Sequence, residues 1–243
     1  VFSADIAAAR RVWPCFLECV APVEVAFPLM GALAGMVADA AYSVLFRDEI
    51  CYHTVDIGLR HQADREAFSA ALPFAGSLWR QAPADAGFLP PSGAIYIPAP
   101  DSAGHLIWDE LLSGIRYVKA RKRSQSLTCW RYMRGRPQRW LQLVSDELRG
   151  WPVPSPGLTT WDIKSLDAQL GETQQAEFQR RLDWSAPRKM DFNFYWFTQQ
   201  SVALALRRAA AHHEAVPNEP IVRLLAFMRE ELDLEVIPFP DML

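Results

Sequence analysis

"RDEICYHTVDIGLRH", residues 47–61, is the stretch on which the fold reading turns. It is mostly apolar and places His53 three residues before Asp56. It follows the long, Ala-rich run "PLMGALAGMVADAAYSVLF" that starts at Pro28, whose spacing is helical. Read in that context, "ICYHTVDIGLRHQ" is expected to continue as helix. His53 is then either a ligand left in a reaction centre or a packed side chain bonded to a neighbour.

To either side of this stretch, Asp5 to Cys19 reads as an amphipathic helix interrupted by Pro14, and "DREAFSAALPFAGSLWRQ" as another, strained by Pro73. Ala82 to Ala103 is rich in Pro and Gly and reads as loop, with "AIYIP" as a short strand. Helix is expected again in "AGHLIWDELLSGIRYVKARKR", "RPQRWLQLVSDELRGW" and "WDIKSLDAQLGETQQAEFQRRLDW", with a break at "WPVPSPG". In the tail, "PRKMDFNFYWFT" has strand-like alternation and leads into the helical "QQSVALALRRAAAHHEA" and "NEPIVRLLAFMREELDL", then "EVIPFP". The expected fold is mainly α. A helical domain spans residues 1–184, and a small α+β module spans 185–243, either separate or packed on the first as one unit. There is no internal repeat and no low-complexity tract.

Half of the 243 residues are hydrophobic, with nine Trp and thirteen Phe, so a sizeable core can be buried. The 25 basic and 28 acidic side chains leave a net charge of −3, which forces neither a nucleic-acid nor a membrane partner. Cys15, Cys19, Cys51 and Cys129 form no CxxC pair, which fits reduced thiols in the cytoplasm better than zinc or a disulfide framework. No basic-then-apolar signal segment opens the sequence. The longest apolar run, Val20 to Leu45, is interrupted by Glu24, Asp39 and several Pro and Gly, so no membrane span is expected. The first residue is Val, which reads as a piece of a longer protein.

Several of these segments, taken in order, resemble the relaxases of the TraI/MobH type, found on integrating conjugative elements and plasmids. "YHTVDIGLR" resembles that family's first metal-binding helix, with His53 at the family histidine. "AALPFAGS" falls where its His-Asp helix belongs, "IRYVKARKRSQSL" resembles its Tyr/Arg tract, and "WDIKSLDAQLG" resembles its Asp-x-x-Ser helix, with Asp162 and Ser165 in register. The tail "FNFYWFTQQSVALALRRA" resembles the small module that follows. The resemblance implies a helical domain related to the HD phosphohydrolases, acting in DNA processing or transfer. The departures are as informative. Asp48 and Glu49 replace the glycine pair, Pro73 and Phe74 replace the His-Asp dyad, and Ser77 replaces the lysine. Proline and phenylalanine offer no ligand atom, so His53 and Asp162 are implied to be relics of a metal site that no longer activates water. The expected protein binds rather than catalyses, without a metal or cofactor.

Residues 116–139 hold nine cations: Arg116, Lys119, Arg121, Lys122, Arg123, Arg131, Arg134, Arg136 and Arg139. No acidic residue occurs from Leu111 to Ser145, and Tyr117, Trp130, Tyr132 and Trp140 are interleaved. Clustered cations neutralise phosphates and aromatic faces stack bases, so DNA is one expected partner, with Trp130 and the nine cations as contacts. The same residues also fit a solvated basic face whose aromatics point into the core. His212 and His213 are adjacent on a helix and point to different sides, which suits a helix C-terminus better than one metal. His61 and Asp64 are spaced to pair, and His105 lies near a helix start. No Ser-His-Asp spacing, glycine-rich phosphate loop or HExxH occurs. The competing expectation is a helical interaction module, such as an immunity protein or a chaperone of a secretion system, with a protein of a conjugation or secretion apparatus as partner. A metal phosphohydrolase with substituted ligands is the third.

Overall fold

The computed structural model describes residues 2–3, 23–28, 40–46, 53–61, 96, 98–99, 101–153, 155 and 157–235. The chain divides into two units, Val1–Pro100 and Asp101–Leu243.

In the first unit the described residues build a four-stranded sheet: β1 (Phe2–Ser3), β2 (Val23–Pro28), β3 (Ala40–Phe46) and β4 (His53–His61), in the order β1-β4-β3-β2. β3 lies antiparallel to both β2 and β4, and β1 runs parallel to β4. The β3–β4 register pairs Phe46 with His53 and Ala40 with Leu59. The helix expected over "ICYHTVDIGLRHQ" is thus corrected to a strand over His53–His61. The physical reason is local. Val55, Ile57 and Leu59 alternate with Thr54, Asp56 and Gly58, and such a period-two, β-branched stretch pairs readily with an antiparallel neighbour. Val25, Ala26 and Phe27 of β2 and Ser43 to Phe46 of β3 are buried. The Ala26 N–H donates to the Tyr96 carbonyl at 3.2 Å. The readings at Asp5–Cys19, Asp48–Glu49, Asp64 and Pro73–Ser77 lie outside the described residues.

The second unit is helical throughout its described elements. These are α1 (Ala103–Lys122), α2 (Ser126–Arg134), α3 (Arg136–Leu148), α4 (Thr160–Gln169), α5 (Glu172–Arg181), α6 (Pro187–Ala211) and α7 (Asn218–Glu231). The protein is therefore mainly α, as expected, but the sheet lies in the first hundred residues and not in the tail. α6 runs without interruption through "PRKMDFNFYWFT", where alternation suggested a strand. Pro187 opens it at its first turn, where a missing N–H costs nothing. Phe194, Tyr195, Trp196 and Phe197 are all buried in succession. A helix enclosed on every side shows no polar stripe, so its period is hidden in the sequence.

α6 packs chiefly along α1 and α3, which is why no domain boundary falls at 184/185 and why 185–243 joins the preceding helices in one unit. Its core includes Trp108, Ile107, Leu111 and Ile115 of α1, Met133 of α2, Leu143 of α3, and Ile221, Leu224 and Met228 of α7. Trp140 sits in an aromatic cluster, 5.4 Å from Phe178, 5.9 Å from Trp196 and 6.4 Å from Phe197 between ring centroids. At the start of α1, Ser102 Oγ accepts from the His105 N–H at 3.0 Å, and the Glu214 carboxylate accepts from Ala103 N–H at 2.8 Å. Those two groups satisfy donors that have no partner inside the helix. Among the described residues no helix is long and apolar enough to cross a membrane.

Candidate nucleic-acid interface

The basic island occupies the end of α1, all of α2 and the start of α3, and most of its charges are already matched. Arg121 Nε donates to both oxygens of Asp191, each at 2.8 Å. Lys122 pairs with Glu231, and Arg136 with Glu110. Arg139 reaches Asp109 at 2.6 Å and Glu110 at 3.7 Å. Arg116 and Lys119 are half-buried and engaged within the fold. The acid-free run of sequence conceals this, because its counter-charges come from Asp109 and Glu110 just before it and from Asp191 and Glu231 on α6 and α7.

Arg123, Arg131 and Arg134 are left. All three are exposed, and none has a carboxylate partner among the described residues. Two of them lie on one stripe of α2. Leu127, Trp130, Arg131 and Arg134 follow the i, i+3, i+4, i+7 spacing of a single helix face. Leu127 is 85 % exposed and Trp130 46 %. The Arg134 guanidinium lies over the Trp130 ring, 5.2 Å from its centroid. Cys129 and Met133, on the other side of α2, are buried and hold the helix to the core. Burial pushes the Cys129 thiol up, so it stays protonated. Of the interleaved aromatics, Tyr117 and Trp140 are core side chains, and Tyr132 is half-buried. Trp130 alone of the four combines an open position with a neighbouring cation.

Beneath the stripe, a buried polar group organises the α1–α6 contact. Tyr117 Oη donates to Asp191 Oδ1 at 2.7 Å, and the Tyr117 ring stacks on Phe194 with centroids 3.7 Å apart. Burial, and then the Asp191 carboxylate, push the Tyr117 phenol far above its ordinary value. The hydrogen bond to Asp191 raises Arg121 further. The Asp191 carboxylate thus accepts from two side chains, and the guanidinium is held in one orientation.

The remaining predicted residues have other employment. His53 opens strand β4, so it does not stand on the helix that the metal-site reading gave it. Asp162 is the third residue of α4 and closes a capping box: its Oδ2 accepts from Thr159 N–H at 2.7 Å, and it pairs with Arg149. His212 Nε2 lies 3.1 Å from the Trp151 carbonyl at the end of α6. Among the described residues no three His, Cys, Asp or Glu side chains are grouped to hold a metal ion. No protein-family model matches the sequence, and no curated protein or solved structure is similar to it.

Proposed function

We propose that the helical unit binds nucleic acid, with α2 as its contact. The observation that carries this reading is the α2 stripe: two arginines with no carboxylate partner and an open indole on one helix face, with Arg123 just before them. Cations without carboxylate partners gain most from phosphates, because binding releases the counterions condensed on the strand. An exposed tryptophan offers a flat face to any base, without demanding a sequence. Single strands, whose bases are free to stack, fit that chemistry better than a duplex. The wider reading, a protein of a conjugative element acting in DNA processing or transfer, has the order of the resembling segments as its support. We carry it as binding without cleavage.

Fluorescence anisotropy with labelled oligonucleotides tests the proposal. Affinity should fall steeply with salt, and Arg131→Glu with Arg134→Glu should remove binding while the unfolding midpoint stays nearly unchanged, since exposed charges contribute little to stability. A wild-type protein that binds no oligonucleotide at low salt, or a double variant that binds like wild type, overturns it. The exposed Leu127 would then favour the interaction-module reading, with an acidic protein as partner.

A further inference from the structure

Beside the buried face of α2 lies a cavity of about 140 Å³ whose polar lining is Arg121, Ser124, Gln125 and Ser126 and whose apolar lining includes Trp184 and Met190. No carboxylate lines it. Arg121 is committed to Asp191 through Nε only, so its two terminal nitrogens donate to nothing among the described residues. Asp191, with its side chain 8 % exposed and itself held by Tyr117, fixes the plane in which those four N–H groups lie. The side chains of Ser124, Gln125 and Ser126 likewise make no hydrogen bond among the described residues. The lining therefore offers an oriented guanidinium fork, two hydroxyls and an amide able to donate, and an indole wall, with no anionic acceptor. At roughly 30 Å³ per water molecule, the space of about 140 Å³ is sized for a group of a few heavy atoms such as one phosphate.

We propose that this cavity is a phosphate-ester site, with Arg121 and the α1–α2 turn holding the phosphate oxygens and Trp184 covering the ester carbons. A guanidinium fork with flanking hydroxyls matches a tetrahedral oxyanion, and each charge-assisted hydrogen bond there is worth more than a neutral one. As the source of the phosphate we take the 5′-terminal phosphate of a strand that crosses α2, which rests on the function proposed above. The chemistry of the cavity does not.

The full chain is titrated with inorganic phosphate, with 5′-phosphorylated oligothymidylate and with its 5′-hydroxyl counterpart, following ³¹P line width and anisotropy. Inorganic phosphate should bind, and the phosphorylated strand should bind more tightly than the hydroxyl strand. Gln125→Glu places a carboxylate in an exposed part of the lining without touching Asp191, and should abolish phosphate binding while the protein stays folded. Arg121→Lys keeps the charge but not the fork, and should weaken phosphate about ten- to a hundredfold, the range of one to two charged hydrogen bonds. Arg131→Glu with Arg134→Glu should leave inorganic phosphate binding unchanged. If phosphate does not bind, or binds equally well to Gln125→Glu, the cavity proposal fails, whatever the strand does. If phosphate binds as described and the stripe variant still holds oligonucleotides normally, the cavity stands and the α2 reading fails. Equal affinity for phosphorylated and hydroxyl strands, with inorganic phosphate bound, overturns the strand as the source.

Discussion

Arg136 and Glu110 face each other with side chains 5 % and 3 % exposed. Burial pushes the guanidinium down from its ordinary value, and the nearby Asp109 carboxylate opposes that. Glu110→Ala leaves an uncompensated cation and should cost about 3–5 kcal/mol, whereas Glu110→Leu with Arg136→Met should recover most of it. Urea unfolding of the three proteins checks this, and a double variant as weak as the single one would refute it. The two tryptophans of the island separate in the same way. Trp140, 4 % exposed, should lose about 3–5 kcal/mol on truncation to alanine. Trp130→Ala should leave the midpoint nearly unchanged and weaken oligonucleotide binding. Sequence alone made the island visible but not its neutralisation. Distance along the chain hides Asp191 and Glu231, and spacing does not single out Arg131 and Arg134, because Arg136 and Arg139 share their i, i+3 interval and are paired.

Among the elements, α1 and α7 meet closely at Gly114, where an added methyl group would overlap Met228 Sδ. Met228 is fully buried and has little room to retreat. Gly114→Ala should therefore destabilise by about 1–3 kcal/mol through overpacking, although alanine is the better helix former. A variant more stable than wild type in thermal unfolding would show that the α1–α7 contact yields. At α4 the capping box makes a smaller and separable prediction. Thr159→Ala should cost about 1 kcal/mol without affecting nucleic-acid binding. The resemblance implies a ligand relic at Asp162, whereas the structure uses it to close this capping box. α6 and β4 were misread for opposite reasons. β4 follows an Ala-rich run whose spacing suggests helix but whose end, Ala40–Phe46, is itself strand β3, and α6 has no polar face to reveal its period.

For the molecule as a whole, the boundary at Pro100/Asp101 predicts that residues 101–243 fold without the preceding hundred. The isolated piece should unfold in one cooperative transition and bind oligonucleotides as the full chain does. A non-cooperative melt or lost affinity would show that the first unit completes it. The predominance of helix was legible in the sequence. The boundary was not, because a Pro- and Gly-rich stretch such as the one before Ala103 has the same composition in a loop within one domain as in a linker between two. The clasp at the start of α1 adds a matter of timing. Glu214, the acceptor for the Ala103 N–H, lies 111 residues further along the chain. The helix against which α1 packs is finished only at Ala211, shortly before it. At ribosomal speeds of about 5–20 residues per second, the apolar side of α1 waits roughly 5–20 s after synthesis before its cover and its clasp exist. During that interval the nascent chain presents Trp108 and Leu111 to the cell, making the emerging α1 the place where chaperone engagement on the ribosome should be found.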